Sequence, residues 1–155
     1  MIAVTNDQHE IPVTIGRLKD TAAYLLGLVN YPDFDLGLFL TTPAKMNEFN
    51  KKFRGKDTPT DILSFLYYQD IQPGEHITPT SEEEKYLGDI ILCPEYIQQH
   101  LDEWPEQTVN DRIERLLVHG VCHLLGYTHD TQENAAVMEG QEHYLLSTIK
   151  EKNTK

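Results

Sequence analysis

The segment HGVCHLLGYTHD spaces His119, His123 and His129 as H-x3-H-x5-H, which gathers three of the chain's seven histidines into one short stretch. Few folds satisfy that spacing. In a helix, His119 and His123 lie one turn apart and project from the same face, so two imidazoles reach one point in space. Gly126 offers a left-handed stop, after which the chain turns back and brings His129 to the same point. Opposite the histidines, Ile113, Leu117, Val121 and Leu124 form an apolar stripe, so a helix from about Thr108 to Leu125 is expected to lie against the core. The pattern therefore predicts a buried helix carrying a metal site. Three neutral nitrogens leave the fourth tetrahedral position of a zinc ion open to water, which marks a catalytic site rather than a closed structural one; nickel or copper would also accept three imidazoles. In H-E-x-x-H peptidases the residue after the first histidine is a glutamate base. Here that position is Gly120.

The chain's 155 residues suit one domain, expected over residues 1–149 with a polar tail at 150–155. Helical spacing of Ile15, Leu18, Ala22, Leu25, Leu26 and Val29 predicts a helix behind a Thr14 cap, following a short strand in IAVTN. Alternating Leu36, Leu38 and Leu40 predict a strand over 34–41. Thr42 and Pro43 start a helix that Gly55 ends, with Met46, Phe49 and Phe53 as its apolar stripe. ILSFLYY and LGDIILC read as strands, the latter covered on both faces. Residues 69–84 read as the most mobile loop, Pro94 opens a short helix, and a last helix spans about 131–149 with Met138, Leu145 and Ile149 inward. The expected class is α+β: a mixed sheet of about four strands packed with helices, with the metal site on a buried helix in the C-terminal third.

No run approaches the length of a membrane span and the opening MIAVTNDQHE lacks the regions of a signal peptide, so a cytoplasmic protein is expected. Cys93 and Cys122 show no C-x-x-C spacing and read as reduced, buried thiols, with Cys122 turned away from His119 around the helix. A net charge of -12 argues against coating nucleic acid by bulk attraction. Yet Lys51, Lys52, Arg54 and Lys56 crowd into KKFRGK, either as helix-end cations or as a local phosphate-binding strip. Phosphodiester hydrolysis needs compensation for charge building on the phosphate, and a guanidinium fork suits it better than an ammonium. Arg54 is the candidate, with Lys51, Lys52 and Lys56 steering the backbone; the competing reading of Arg54 is a salt bridge to Asp57 or Asp61. Single strands also call for stacking surfaces, for which Phe53 and Tyr127 are available, although both residue types usually pack in cores.

The ordered runs NEFNKKFRGKDTPTDILSF, LGDIILC, HGVCHLLGYTHD and MEGQE together resemble the YbeY family of bacterial endoribonucleases and ribosomal RNA maturation factors. The resemblance covers almost the whole chain. It implies a zinc-dependent endoribonuclease that prefers single strands and acts in 16S ribosomal RNA 3' end maturation and ribosome quality control, with RNA and the small subunit or its proteins as partners. It also implies His119, His123 and His129 as ligands of one zinc ion and Arg54 as the functional arginine. Thr128 departs from the family's usual aspartate, which puts the role of that carboxylate in question, with Asp130 as the nearest substitute. Two other functions compete: a metzincin-like zinc peptidase, disfavoured by Gly120, and a non-enzymatic ribosome assembly factor with structural zinc, which a fourth protein ligand would favour.

Overall fold

In a computed structural model that describes residues 1–154, the leucine alternation places strand β2 (Asp35–Leu40) at the centre of the molecule. Leu36, Leu38 and Leu40 are almost fully buried, whereas Phe39 points to the other face and is 38% exposed. The sheet runs in the order β1-β2-β4-β3. β1 (Ile2–Asn6) and β4 (Tyr86–Leu92) flank β2 in parallel, while β3 (Ile62–Leu66) pairs antiparallel to β4 and forms one edge. This is the mixed four-stranded sheet expected from the sequence.

Helices cover the two faces unequally. α1 (Ile15–Leu28), α4 (Val109–Leu124) and α5 (Gln132–Asn153) join the leucines of β2 in the main core, with Leu18, Ala22, Leu25, Leu117, Val121, Leu145 and Ile149 packed together. At about 1.5–3 kcal/mol for each large apolar side chain removed from water, this face supplies most of the burial energy. The other face carries α2 (Pro43–Arg54), whose Met46 closes a small cluster with Leu63, Ile91 and Cys93, against which Tyr96 also packs. Thr42 caps α2 by accepting a hydrogen bond from the Lys45 amide at 3.4 Å, and Gly55 closes the helix, which leaves Lys51, Lys52 and Arg54 on its last turn. α3 (Pro94–Gln99) and a 3-10 turn at Leu101–Glu103 lead into α4.

Two boundaries differ from the sequence reading. β3 stops at Leu66, and Tyr67 and Tyr68 turn out of the strand to pack edge-on against each other. α5 runs to Asn153, because its polar end needs only its own backbone bonds and solvent; Lys155 lies outside the described residues. Within the segment 69–84, expected to be the most mobile, Ile77 is buried and its amide donates to the Tyr31 hydroxyl at 2.9 Å.

Candidate metal centre

Thr108 starts α4 by accepting the Asp111 amide at 3.1 Å, and the helix carries His119 and His123 on one face, as their spacing requires. Its far end is a Schellman turn: the Gly126 amide donates to the His123 carbonyl at 2.9 Å and the Tyr127 amide to the Cys122 carbonyl at 3.1 Å. Gly126 holds φ of +95° there, and a β-carbon at this position would also collide with the Ile71 carbonyl. Glycine is thus fixed twice over. The reversed chain delivers His129 to the face of α4 that carries the other two rings, whose centroids lie 5.6 Å and 5.0 Å from its own. One ring nitrogen from each histidine falls within 4.8 Å of the others, so the three could hold one metal ion. Among the described residues no fourth histidine, cysteine or carboxylate joins the group.

The ring orientations are set from outside the cluster. His123 Nδ1 lies 2.9 Å from the Tyr127 carbonyl, which can only accept, so Nδ1 carries the proton and Nε2 is bare. His119 Nδ1 lies 3.2 Å from Glu142 Oε2, on α5. The two Nε2 atoms then face each other at 3.0 Å. Converging lone pairs at that distance repel unless a cation or a proton stands between them. Burial, reinforced by His119, holds the His123 imidazole below its ordinary pKa and favours the neutral, ligating form. Burial alone would push the Glu142 carboxyl up, but the His119 hydrogen bond and the positive charge around it prevail, so the carboxyl sits below its usual range. The Cys122 thiol is buried and pushed up to about 12, mainly by desolvation and next by Glu142, so it stays protonated and apart from the cluster. Cys93 is likewise a buried free thiol.

The histidines line a cleft of about 370 Å³ together with Arg54, Thr60, Asp61, Ser64 and the apolar side chains of β3. Arg54, at the end of α2 and more than sixty residues away in sequence, thereby lines the same cleft as the histidines. Neither Asp57 nor Asp61 pairs with it: Asp57 accepts from Asn47 at 2.7 Å and faces Lys51 at 3.9 Å, while Asp61 faces Arg112 at 4.0 Å. Lys51, Lys52 and Lys56 stand outside the cleft wall. Phe53 packs against Phe65 at 5.0 Å on the opposite face of β3, and Tyr127 packs against the main core, so neither proposed stacking surface faces the histidines. Gly120 sits against the sheet, where a β-carbon would lie 2.8 Å from Ile90 Cδ1; a glutamate there would meet the core rather than the cleft. Asp130, the suggested substitute for the family's aspartate, accepts from Thr128 and Asn134, each at 2.8 Å, and braces the start of α5. Glu142 was not singled out from the sequence. Its signal was legible, because a charged residue sits on the inward stripe of Met138, Leu145 and Ile149.

The family model described as "Endoribonuclease YbeY" matches residues 3–150. The chain belongs to the YbeY family. Among curated YbeY proteins it is 38% identical over 153 residues to that of Paramagnetospirillum magneticum, covering 95% of this chain and 86% of the relative. It is 30% identical over 148 residues to human YbeY, covering 96% of this chain and 87% of the relative. TM1509 from Thermotoga maritima, known from a solution structure, shares the fold with a TM-score of 0.56 at 20% identity, covering 98% of this chain and 93% of that one. In this YbeY chain, no helix among the described residues is long and apolar enough to cross a membrane.

Proposed function

We propose that this chain is a zinc-dependent, single-strand-preferring endoribonuclease of the cytoplasm that acts in 16S ribosomal RNA 3' end maturation and ribosome quality control, as one catalytic domain over residues 1–149. Family membership supports RNA phosphodiester hydrolysis. The observation that carries the finer reading is the convergence of Arg54 with three histidines in one polar cleft. His119, His123 and His129 would hold the ion. Their chemistry fits one: all three are imidazoles, and two of them place their Nε2 atoms 3.0 Å apart, near the ~3.3 Å edge of a tetrahedral zinc site. A bound zinc ion supplies Lewis acidity toward a phosphoryl oxygen and acidifies water to near neutral pH.

The chain's own residues do the rest. Arg54, free of a carboxylate partner among the described residues, presents its guanidinium to the scissile phosphate and compensates the charge that builds there. Lys51, Lys52 and Lys56 on the adjoining turn attract the RNA backbone toward the cleft. With Gly120 filling no part of the cleft, no glutamate base stands where a peptidase of this design needs one. The absence of a fourth protein ligand among the described residues favours an open site over a structural one.

Purified protein incubated with precursor ribosomal RNA, and separately with casein, with and without chelator, tests this. RNA cleavage that stops with chelator and in His119→Ala and Arg54→Ala is expected. Equal cleavage by wild type and both variants would mean contamination and end the proposal, and casein cleavage would favour the peptidase.

A further inference from the structure

His123 is oriented by a carbonyl four residues away in sequence, whereas His119 receives its partner from another helix. His119 Nδ1 lies 3.2 Å from Glu142 Oε2, and the carboxylate is largely enclosed, its side chain 14% exposed. Glu142 shares the inward stripe of α5 with Met138 and Leu145, both buried, so packing of that helix on α4 fixes where the carboxylate sits. The pairing reproduces around His119 what the Tyr127 carbonyl does for His123: an acceptor at Nδ1 leaves Nε2 as the ring nitrogen that faces the cluster.

We infer that Glu142 is a positioning residue for the metal site, holding His119 in the Nδ1–H tautomer with its Nε2 directed at the ion. The inference rests on the metal-site part of the proposed function. An ionised acceptor behind an imidazole fixes the ring's rotation and makes the distal nitrogen a better donor, an arrangement whose loss costs about 10–100-fold in metal affinity. The Tyr127 carbonyl belongs to the backbone and no substitution deletes it. Glu142 is therefore the side-chain lever on this site. A purely structural role, a link between α4 and α5, would change the stability of the metal-free protein and leave tautomer and metal affinity alone.

The test measures zinc affinity by competition with a chromophoric chelator for the wild type, Glu142→Ala, Glu142→Gln and, as a control on the exposed side of the same helix, Glu139→Gln. The expected result is a loss of about 10–100-fold for Glu142→Ala, a smaller loss for Glu142→Gln, which keeps an acceptor without the charge, and no change for Glu139→Gln. Long-range 15N–1H spectra of the metal-free proteins give the second readout. His119 should be protonated at Nδ1 in the wild type and should shift toward the Nε2–H tautomer in Glu142→Ala, or toward a mixture in Glu142→Gln should the alanine variant not fold. Wild-type zinc affinity in the Glu142 variants with an unchanged His119 tautomer would overturn the inference. Because RNA is absent from both readouts, failure of the nuclease reading shows up separately, as intact zinc binding without cleavage.

Discussion

The two faces of the sheet solve different problems with neighbouring residues. On one, α1, α4 and α5 enclose a continuous apolar core, and where that cover ends at the edge strand β3 the cleft of about 370 Å³ gathers Arg54 and the three histidines. On the other, α2 covers only part of the sheet and leaves a larger groove of about 530 Å³ lined by Phe39, Phe49, Phe53 and Phe65. The larger concavity is not where the chemistry gathers. Its Lys45 is already paired with Asp7, whereas the smaller cleft brings the three imidazoles and Arg54 together. Convergence of ligating and charged side chains marks the site here better than volume does.

Adjacent residues that point to opposite faces turn this contrast into measurements. In β2, Leu38→Ala should cost about 2–5 kcal/mol in denaturant unfolding. Phe39→Ser, one residue on, should cost less than about 1 kcal/mol because its ring is already partly in water. Equal costs would mean that the two faces are equally important to stability. In the last turn of α2, Arg54→Ala should lower RNA cleavage about 100-fold or more, with Arg54→Lys recovering part of it, while zinc content stays at the wild-type level. Phe53→Ala, facing the groove, should leave cleavage within about threefold of wild type; a loss matching that of Arg54→Ala would join the groove to the reaction path. Neutralising Lys51, Lys52 and Lys56 singly should weaken RNA binding only slightly and lower its salt dependence by about one counterion each.

The smallest expected effect is on pH dependence. The folded His123 titrates below its ordinary value of 6.5, so the unfolded chain takes up a proton before the folded one does. Stability from this residue is therefore complete above about pH 6.5 and is lost as pH falls through the window below it. Unfolding midpoints of the metal-free protein should fall between about pH 7.5 and about pH 5.5, and the fall should be shallower in His123→Ala. A steeper fall in that variant would contradict the burial argument. Protons and zinc compete for the same nitrogens, so zinc affinity should weaken in the same direction.

Much of this molecule was legible from local pattern. Leucine alternation located β2, Thr42-Pro43 and Gly55 bracketed α2, and H-x3-H followed by Gly126 located the histidine-bearing helix and its reversal, because each depends on geometry repeated within a few residues. Composition and spacing also separated the three histidines from the peptidase pattern at Gly120. Tertiary structure alone decided what lies between elements: that Gly120 is excluded from the cleft by Ile90 and that Glu142 reaches His119. Those facts depend on how helices pack on the sheet, across separations of twenty residues and more, where side-chain spacing carries no information about distance. Local spacing singled out the three histidines, and the packing of α5 on α4 supplied the carboxylate beside His119.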